Sequence, residues 1–349
     1  MTTMSYGDIT PAVAAWATVR MLTRAVPYLH LEKFGQTYPL PRNSTNTAKF
    51  RRYFLSGATG AAGLTGNPIS AFANVLATTP LIEGVTPSGN TLAVEDYTVT
   101  IQQYGSWVPF TDVIDTIHPD PVLAQISDIL GEQAAQTIET IRFNVLKAGV
   151  NVFYANSVAG RTTVAAAPSL TDQRRVTTGL NRQNAKKITQ VVASSPDYNT
   201  KSVEASYMAV CHPDLETDIR SMTGFKPVAD YGPHTTPFEG EIGSVEQVRY
   251  LTSTVLVPWA DAATGSTKGT MRSTTGTYAD VYPILYFGRD AYGIVPLKGS
   301  TSLTPMVVNP KPVIGDPLGQ KGTVGWKTWT GVVILQEAFM ARLECCATA

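Results

Sequence analysis

Two His-Pro-Asp triplets, His118–Asp120 and His212–Asp214, are the residues whose types and spacing come nearest to acid–base chemistry. A carboxylate close to a histidine can orient the imidazole for proton transfer, and Cys211 beside His212 adds a candidate thiolate nucleophile. Both triplets precede helical patterns, where proline and aspartate are the usual N-terminal punctuation. The sequence therefore predicts helix starts at both places and a buried strand cysteine at Cys211. Phosphate-cradling loops need glycines at fixed offsets before a helix, and the chain contains no Gly-x-Gly and no Gly-Lys. Gly-x-Ser-x-Gly and His-Glu-x-x-His are also absent. Three cysteines and four histidines, three of the latter beside a proline or two residues from one, supply no metal-ligand spacing and no disulfide framework. No catalytic residue, metal or cofactor is expected.

The elements that would carry any site are those of an α+β chain. From Asp120 to Ala148, Leu123, Ile126, Leu130, Ala134, Ile138, Ile141 and Val145 step by three or four. With Asp120 as N-cap, Pro121 in the first turn and Gly149 as the stop, this is a helix of about 40 Å at 1.5 Å per residue. Ser169 with Asp172 resembles a capping box opening a second helix to about Val191. A short amphipathic helix is expected within Pro11–Leu31 and another over Asp214–Met222. Strands are expected at Ala48–Phe54, Thr98–Phe110, Tyr207–Cys211, Val245–Thr252, Val281–Phe287 and Thr328–Leu343. The glycine-punctuated stretch 57–66 reads as a loop, so the first two strands bracket a long excursion and form a hairpin-like arm. Further loops are expected over Gly224–Gly240 and 261–277. No βαβ alternation and no solenoid period is present.

Charge sets limits on partners. The 349 residues hold 27 Lys+Arg and 27 Asp+Glu, so no global field draws the chain to nucleic acid or an anionic membrane. Nothing approaches the ~18 uninterrupted apolar residues of a membrane span, and no secretory leader pattern opens the chain. A protein made in a cytoplasm is expected. Locally, Arg174, Arg175, Arg182, Lys186 and Lys187 make the second helix region basic, either as a solvated face or as a contact to DNA or an acidic neighbour. Arg51 and Arg52 are adjacent on a strand and point to opposite faces, an arrangement suited to forked pairing with carboxylates. Glu83, in a Pro/Gly-rich segment, is a candidate partner across a subunit boundary. Trp107, in the second strand of the arm, completes the candidate contact residues.

The blocks FGQTYPLPRNSTNTAKFRRY (34–53), ATTPLIEGVTP (77–87), QYGSWVPFTD (103–112), LGEQAAQTIET (130–140), LKAGVNVFYAN (146–156), YPILYFGRDAYGIVPLKG (282–299) and DPLGQKGTVGWKTW (316–329) run through nearly the whole chain in order. Together they resemble the major capsid protein family typified by bacteriophage N-four. The resemblance implies the Hong Kong 97 capsid fold. It assigns 1–45 to an N-terminal arm, 46–115 to an extended loop with flanking strands, 116–165 to a peripheral domain with a long spine helix, 166–315 to an axial domain, and 316–349 to a return into the peripheral domain. It implies self-assembly into hexamers and pentamers of an icosahedral head that encloses DNA, with only weak non-specific DNA contact and no membrane. Portal and scaffolding partners are implied, with a decoration protein as a further option. The scaffold would be a separate chain, since no long charged N-terminal segment is present. Location in the virion, after assembly in a bacterial cytoplasm, follows.

Two departures from that pattern matter. Gly57–Leu76 looks like extra sequence within the extended loop. No lysine lies between Lys49 and Lys147, so a lysine–asparagine isopeptide crosslink of the kind some relatives make from that loop has no donor there. The expectation is a shell held by non-covalent contacts. Two rivals remain: a cellular nanocompartment of the same fold, and a soluble hydrolase using His212 or His118.

Overall fold

The computed structural model describes Met21 and residues 29–38, 46–55, 80–86, 92–113, 122–189, 204–231, 238–265, 268–295, 304–308, 310–312, 315 and 317–349. In chain order the elements begin with β1 (Gln36–Thr37), β2 (Thr47–Leu55), β3 (Leu92–Thr100), β4 (Gln102–Thr111), α1 (Val122–Leu146) and β5 (Val152–Tyr154). They continue with α2 (Leu170–Arg182), β6 (Tyr207–Cys211), α3 (Glu216–Arg220), β7 (Phe225–Pro227), β8 (Glu241–Val245) and β9 (Val248–Thr252). The last are β10 (Tyr282–Phe287), β11 (Tyr292–Ile294), β12 (Thr304–Val308), β13 (Lys321–Thr330), β14 (Val332–Ile334) and β15 (Met340–Cys345). The class is α+β, as expected.

The main sheet has the order β5-β15-β10-β6-β9-β8-β7 and mixes parallel with antiparallel neighbours. Its central strands are covered on both faces, which is why YMAVC and YPILYF are apolar without alternation. Tyr207, Ala209, Cys211, Ile284 and Tyr286 face Val176 and Leu180 of α2 and Ile219 of α3. Met208, Val210, Leu285 and Phe287 face Phe143 and Leu146 at the end of α1. The result is three layers, two of them helical.

The rest of α1 serves a second sheet. Leu130, Ala134, Ala135 and Ile138 pack against Phe110 of β4 and Val324 and Trp326 of β13. That sheet has the order β12-β13-β4. Met21 lies on the same core, so close that a Cβ on Gly131 would stand 2.7 Å from the Met21 carbonyl oxygen. Small side chains on α1 let the backbone of the N-terminal segment approach. A third sheet, β1-β11-β14, joins the two, and β2 and β3 pair as a hairpin.

Several expected boundaries shift. The strand before β4 begins at Leu92, and a break at buried Ile101 separates β3 from β4, so the two lie in different sheets. The expected strand Val245–Thr252 is instead the turn and second strand of a hairpin, since Glu246 takes a left-handed φ of 49°. Thr328–Leu343 is three strand segments, divided at Gly331 and by a 3-10 turn at Glu337–Phe339. The second helix ends at Arg182, because Asn184 turns left-handed and the Ala185 amide closes on the Leu180 carbonyl. Its start is as expected, with Ser169 Oγ accepting from the Asp172 amide at 3.2 Å. Gly179 lies within α2, where the missing side chain leaves room for the Phe153 ring. The expected helix over Asp214–Met222 is a 3-10 turn followed by α3. Most of Pro11–Leu31, the 57–66 loop, Gly57–Leu76, His118, Asp120 and Pro121 lie outside the described residues.

Candidate functional site

The hairpin of β2 and β3 sets Arg51 opposite Asp96 and Arg52 opposite Glu95. Adjacent strand residues face opposite ways, and here they do: Arg51 is exposed and Arg52 half-buried. On the outer face Arg51 donates through Nε and Nη2 to the two Asp96 oxygens at 2.8 and 3.1 Å, the forked geometry expected of a guanidinium. Lys49 stands 3.4 Å from the same carboxylate. The Arg51 guanidinium holds the Asp96 carboxyl below its usual range. On the inner face Arg52 Nη1 donates to Gln336 Oε1. Both arginines therefore have partners within their own chain. The structure brings neither to Glu83.

Glu83 sits in an exposed turn, closed by the Val85 amide on the Ile82 carbonyl at 3.1 Å. Gly84 takes the left-handed φ of 77° that the turn requires. Among the described residues Glu83 has no hydrogen bond or ion pair. Its surroundings are apolar and in water: Leu81 is 80% exposed, and Ile82 and Val85 are exposed too. On the outer face of the hairpin, Tyr53, Leu92 and Val94 are exposed apolar side chains beyond the Arg51–Asp96 pair.

Trp107 lies on the outer face of the β12-β13-β4 sheet, 64% exposed. Cross-strand register puts Trp107, Gly325 and Met306 in one row, with Pro109, Thr323 and Val308 in the next. Gly325 has no room for a side chain, since a Cβ would stand 2.8 Å from the Trp107 Cβ. The glycine between tryptophan and methionine leaves a notch in an exposed apolar face. The opposite face of these strands is the core against α1. Met306 and Val308, like Leu81 and Ile82, are residues that the sequence reading did not single out. The sequence TPMVV runs Met306, Val307 and Val308 together without polar alternation, so it carried no signal of which face is exposed.

His212 and Cys211 are both engaged in structural contacts. His212 Nδ1 accepts the Asp214 amide at 3.2 Å, a capping contact, and Asp214 is engaged by Tyr282 Oη at 2.8 Å and by Arg272. Burial lowers the His212 pKa. Cys211 Sγ donates to the Leu251 carbonyl, and burial pushes its thiol far up. Among the described residues no group of three metal-ligating side chains converges, and no helix is long and apolar enough to cross a membrane. In the basic segment, Arg174 pairs with Glu246, and Arg175 with Asp172.

This architecture is that of a phage capsid chain. The structure aligns with the capsid of Ralstonia phage GP4 at a TM-score of 0.60 and 14% identity, covering 88% of this chain and 85% of that one. It aligns with the head of Helicobacter pylori bacteriophage KHP40 at 0.55 and 13%, covering 99% and 95%. For the capsid of Cyanophage Pam1 the values are 0.53 and 14%, with 94% and 93% covered. No curated protein matches the sequence. The phage capsid protein family model matches residues 94–343, and the chain belongs to that family.

Proposed function

We propose that this chain is the major capsid subunit of its phage, and that copies associate as hexamers and pentamers into an icosahedral head around the DNA. The observation that carries this reading is a pair of apolar surfaces left in water beside a closed core. One is the Trp107–Gly325–Met306 face; the other is the Tyr53, Leu92 and Val94 side of the hairpin, and the 81–85 turn is apolar and exposed as well. Exposed apolar patches of this kind mark contact sites. In a shell each contact is repeated over every copy, so modest individual contacts suffice.

In this reading 1–45 is an arm and 46–115 an extended loop, both overlapping neighbouring subunits. Residues 116–165 and 316–349 form a peripheral domain with α1 as its spine, and 166–315 an axial domain. Arg51, Arg52, Glu83 and Trp107 are contact residues. With Arg51 already paired to Asp96, that pair meets a neighbour as a dipolar unit, while Glu83 brings a charge with no partner among the described residues. No isopeptide staple is needed. The chain has no enzymatic role, a reading the capping contacts of His212 and the sealed Cys211 support. Partners are a portal, a separate scaffolding protein and in some heads a decoration protein. The mature location is the virion, after assembly in the host cytoplasm, and the ordered sequence blocks support an N-four-like branch.

The test is electron microscopy of particles purified from infected cells. DNA-filled heads built of this chain are expected. Small enzyme-loaded shells would instead indicate a nanocompartment, and a monomer that turns over substrate would end the reading.

A further inference from the structure

The contact between the N-terminal segment and α1 is the least satisfied polar site of the described interior. Glu139 is fully buried on α1, and its Oε1 accepts the amides of His30 and Leu31 at 3.0 and 2.8 Å. Its other oxygen, Oε2, has no hydrogen-bond partner. Arg142, one turn on and equally buried, stands 3.8 Å away and spends its one hydrogen bond on Glu32 of the N-terminal segment, at 3.0 Å. Its Nε and Nη1 are left without a hydrogen bond, as is His30 Nδ1. Two carboxylates therefore flank one guanidinium, and the hydrogen bond goes to the outer one. A buried network this incomplete is costly in a low dielectric.

We propose that this joint is a proton-linked latch: the 29–34 segment docks on α1 with Glu139 protonated, and ionisation of Glu139 loosens it. The geometry favours this in two ways. A proton on Oε2 breaks no existing hydrogen bond, because Oε1 alone receives the two amides. It also makes the buried set of Glu139, Arg142 and Glu32 neutral. Burial acts in the same direction, raising the Glu139 carboxyl from 4.5 to about 7, with Arg142 and the two amides opposing. A released Glu139, back in water, titrates near its ordinary value. Docking is thus strongest below that value and weakens as pH rises to about 7.

The other titratable groups at the joint are His30, Lys33, Glu239 and Tyr292. Tyr292 donates to the Leu31 carbonyl and is held far above its usual range by burial, so it stays neutral. Lys33 and Glu239 lie 3.9 Å apart toward the surface and offset each other. His30 acts with the opposite sign: burial lowers its pKa, so docking loses strength as pH falls below about 6.5. A measurement at pH 8 avoids that titration, since the imidazole is then neutral docked or released. The inference concerns one subunit and stands whether or not the shell reading does.

The experiment is hydrogen exchange of the 29–34 amides in the full chain at pH 8, comparing wild type with Glu139→Gln. The substituted carboxamide keeps an acceptor for both amides and carries no charge, as the protonated acid does. The latch predicts that E139Q raises protection, by up to roughly 300-fold. Lower or unchanged protection would mean that the anion itself holds the segment, and would overturn the proposal. A second arm uses His30→Gln, which removes the opposing titration. Its protection, corrected for intrinsic exchange, should rise about tenfold per unit as pH falls from 7 to 5. A flat or falling profile would overturn the proposal independently of E139Q.

Discussion

Trp107→Ser tests whether the exposed sheet face holds copies together. A tryptophan side chain presents up to about 250 Å², of which 64% is exposed here, leaving about 160 Å² for a neighbour to cover. At about 25 cal/mol per Å² that area is worth up to ~4 kcal/mol per contact. Binding realises only part of such a sum. If half is realised, ~2 kcal/mol raises the concentration needed for assembly by about 30-fold. The same change leaves the subunit fold alone, because the indole is on the solvent face and the α1 core is on the other. Light scattering of purified subunits across a concentration series reads assembly, and a thermal melt of the subunits reads folding. Assembly at the wild-type threshold, or a melt lowered by many degrees, would refute the reasoning.

Gly131→Val should push the N-terminal segment off α1, since the new side chain begins 2.7 Å from the Met21 carbonyl oxygen; a cost of about 1–3 kcal/mol should appear in chemical denaturation, with faster proteolysis near Met21. Cys211, Cys345 and Cys346 are buried with thiols pushed up by burial, so the native chain should resist alkylation at all three, which should react once it is unfolded. Boiled particles should run as monomers on a denaturing gel, and a covalent ladder would contradict the non-covalent shell.

What could be read from the sequence follows how local each determinant is. α1 announced itself because one stripe of Leu130, Ala134 and Ile138 repeats at helical spacing, and Ser169 because a cap acts within three residues. The end of α2 was misplaced because a left-handed Asn184 overrides helical composition downstream. Arg51 does fork onto a carboxylate, but within its own chain: Asp96 is 45 positions away and enters only through hairpin register. The latch was invisible for the same reason: Glu139 looks like an ordinary helix residue until His30 and Leu31, over a hundred positions earlier, present their amides. The resemblance to a capsid family rested on blocks spread along the chain, and the family match likewise spans residues 94–343 and no single motif.

The central claim is that copies of this chain close a shell through their own exposed apolar surfaces. A cryo-electron microscopy reconstruction of particles containing this chain tests it most directly. It should show an icosahedral lattice of hexamers and pentamers in which Trp107, Met306 and the 81–85 turn are buried between subunits. A lattice that leaves both surfaces in solvent, or particles whose shell is built of another chain, would contradict it.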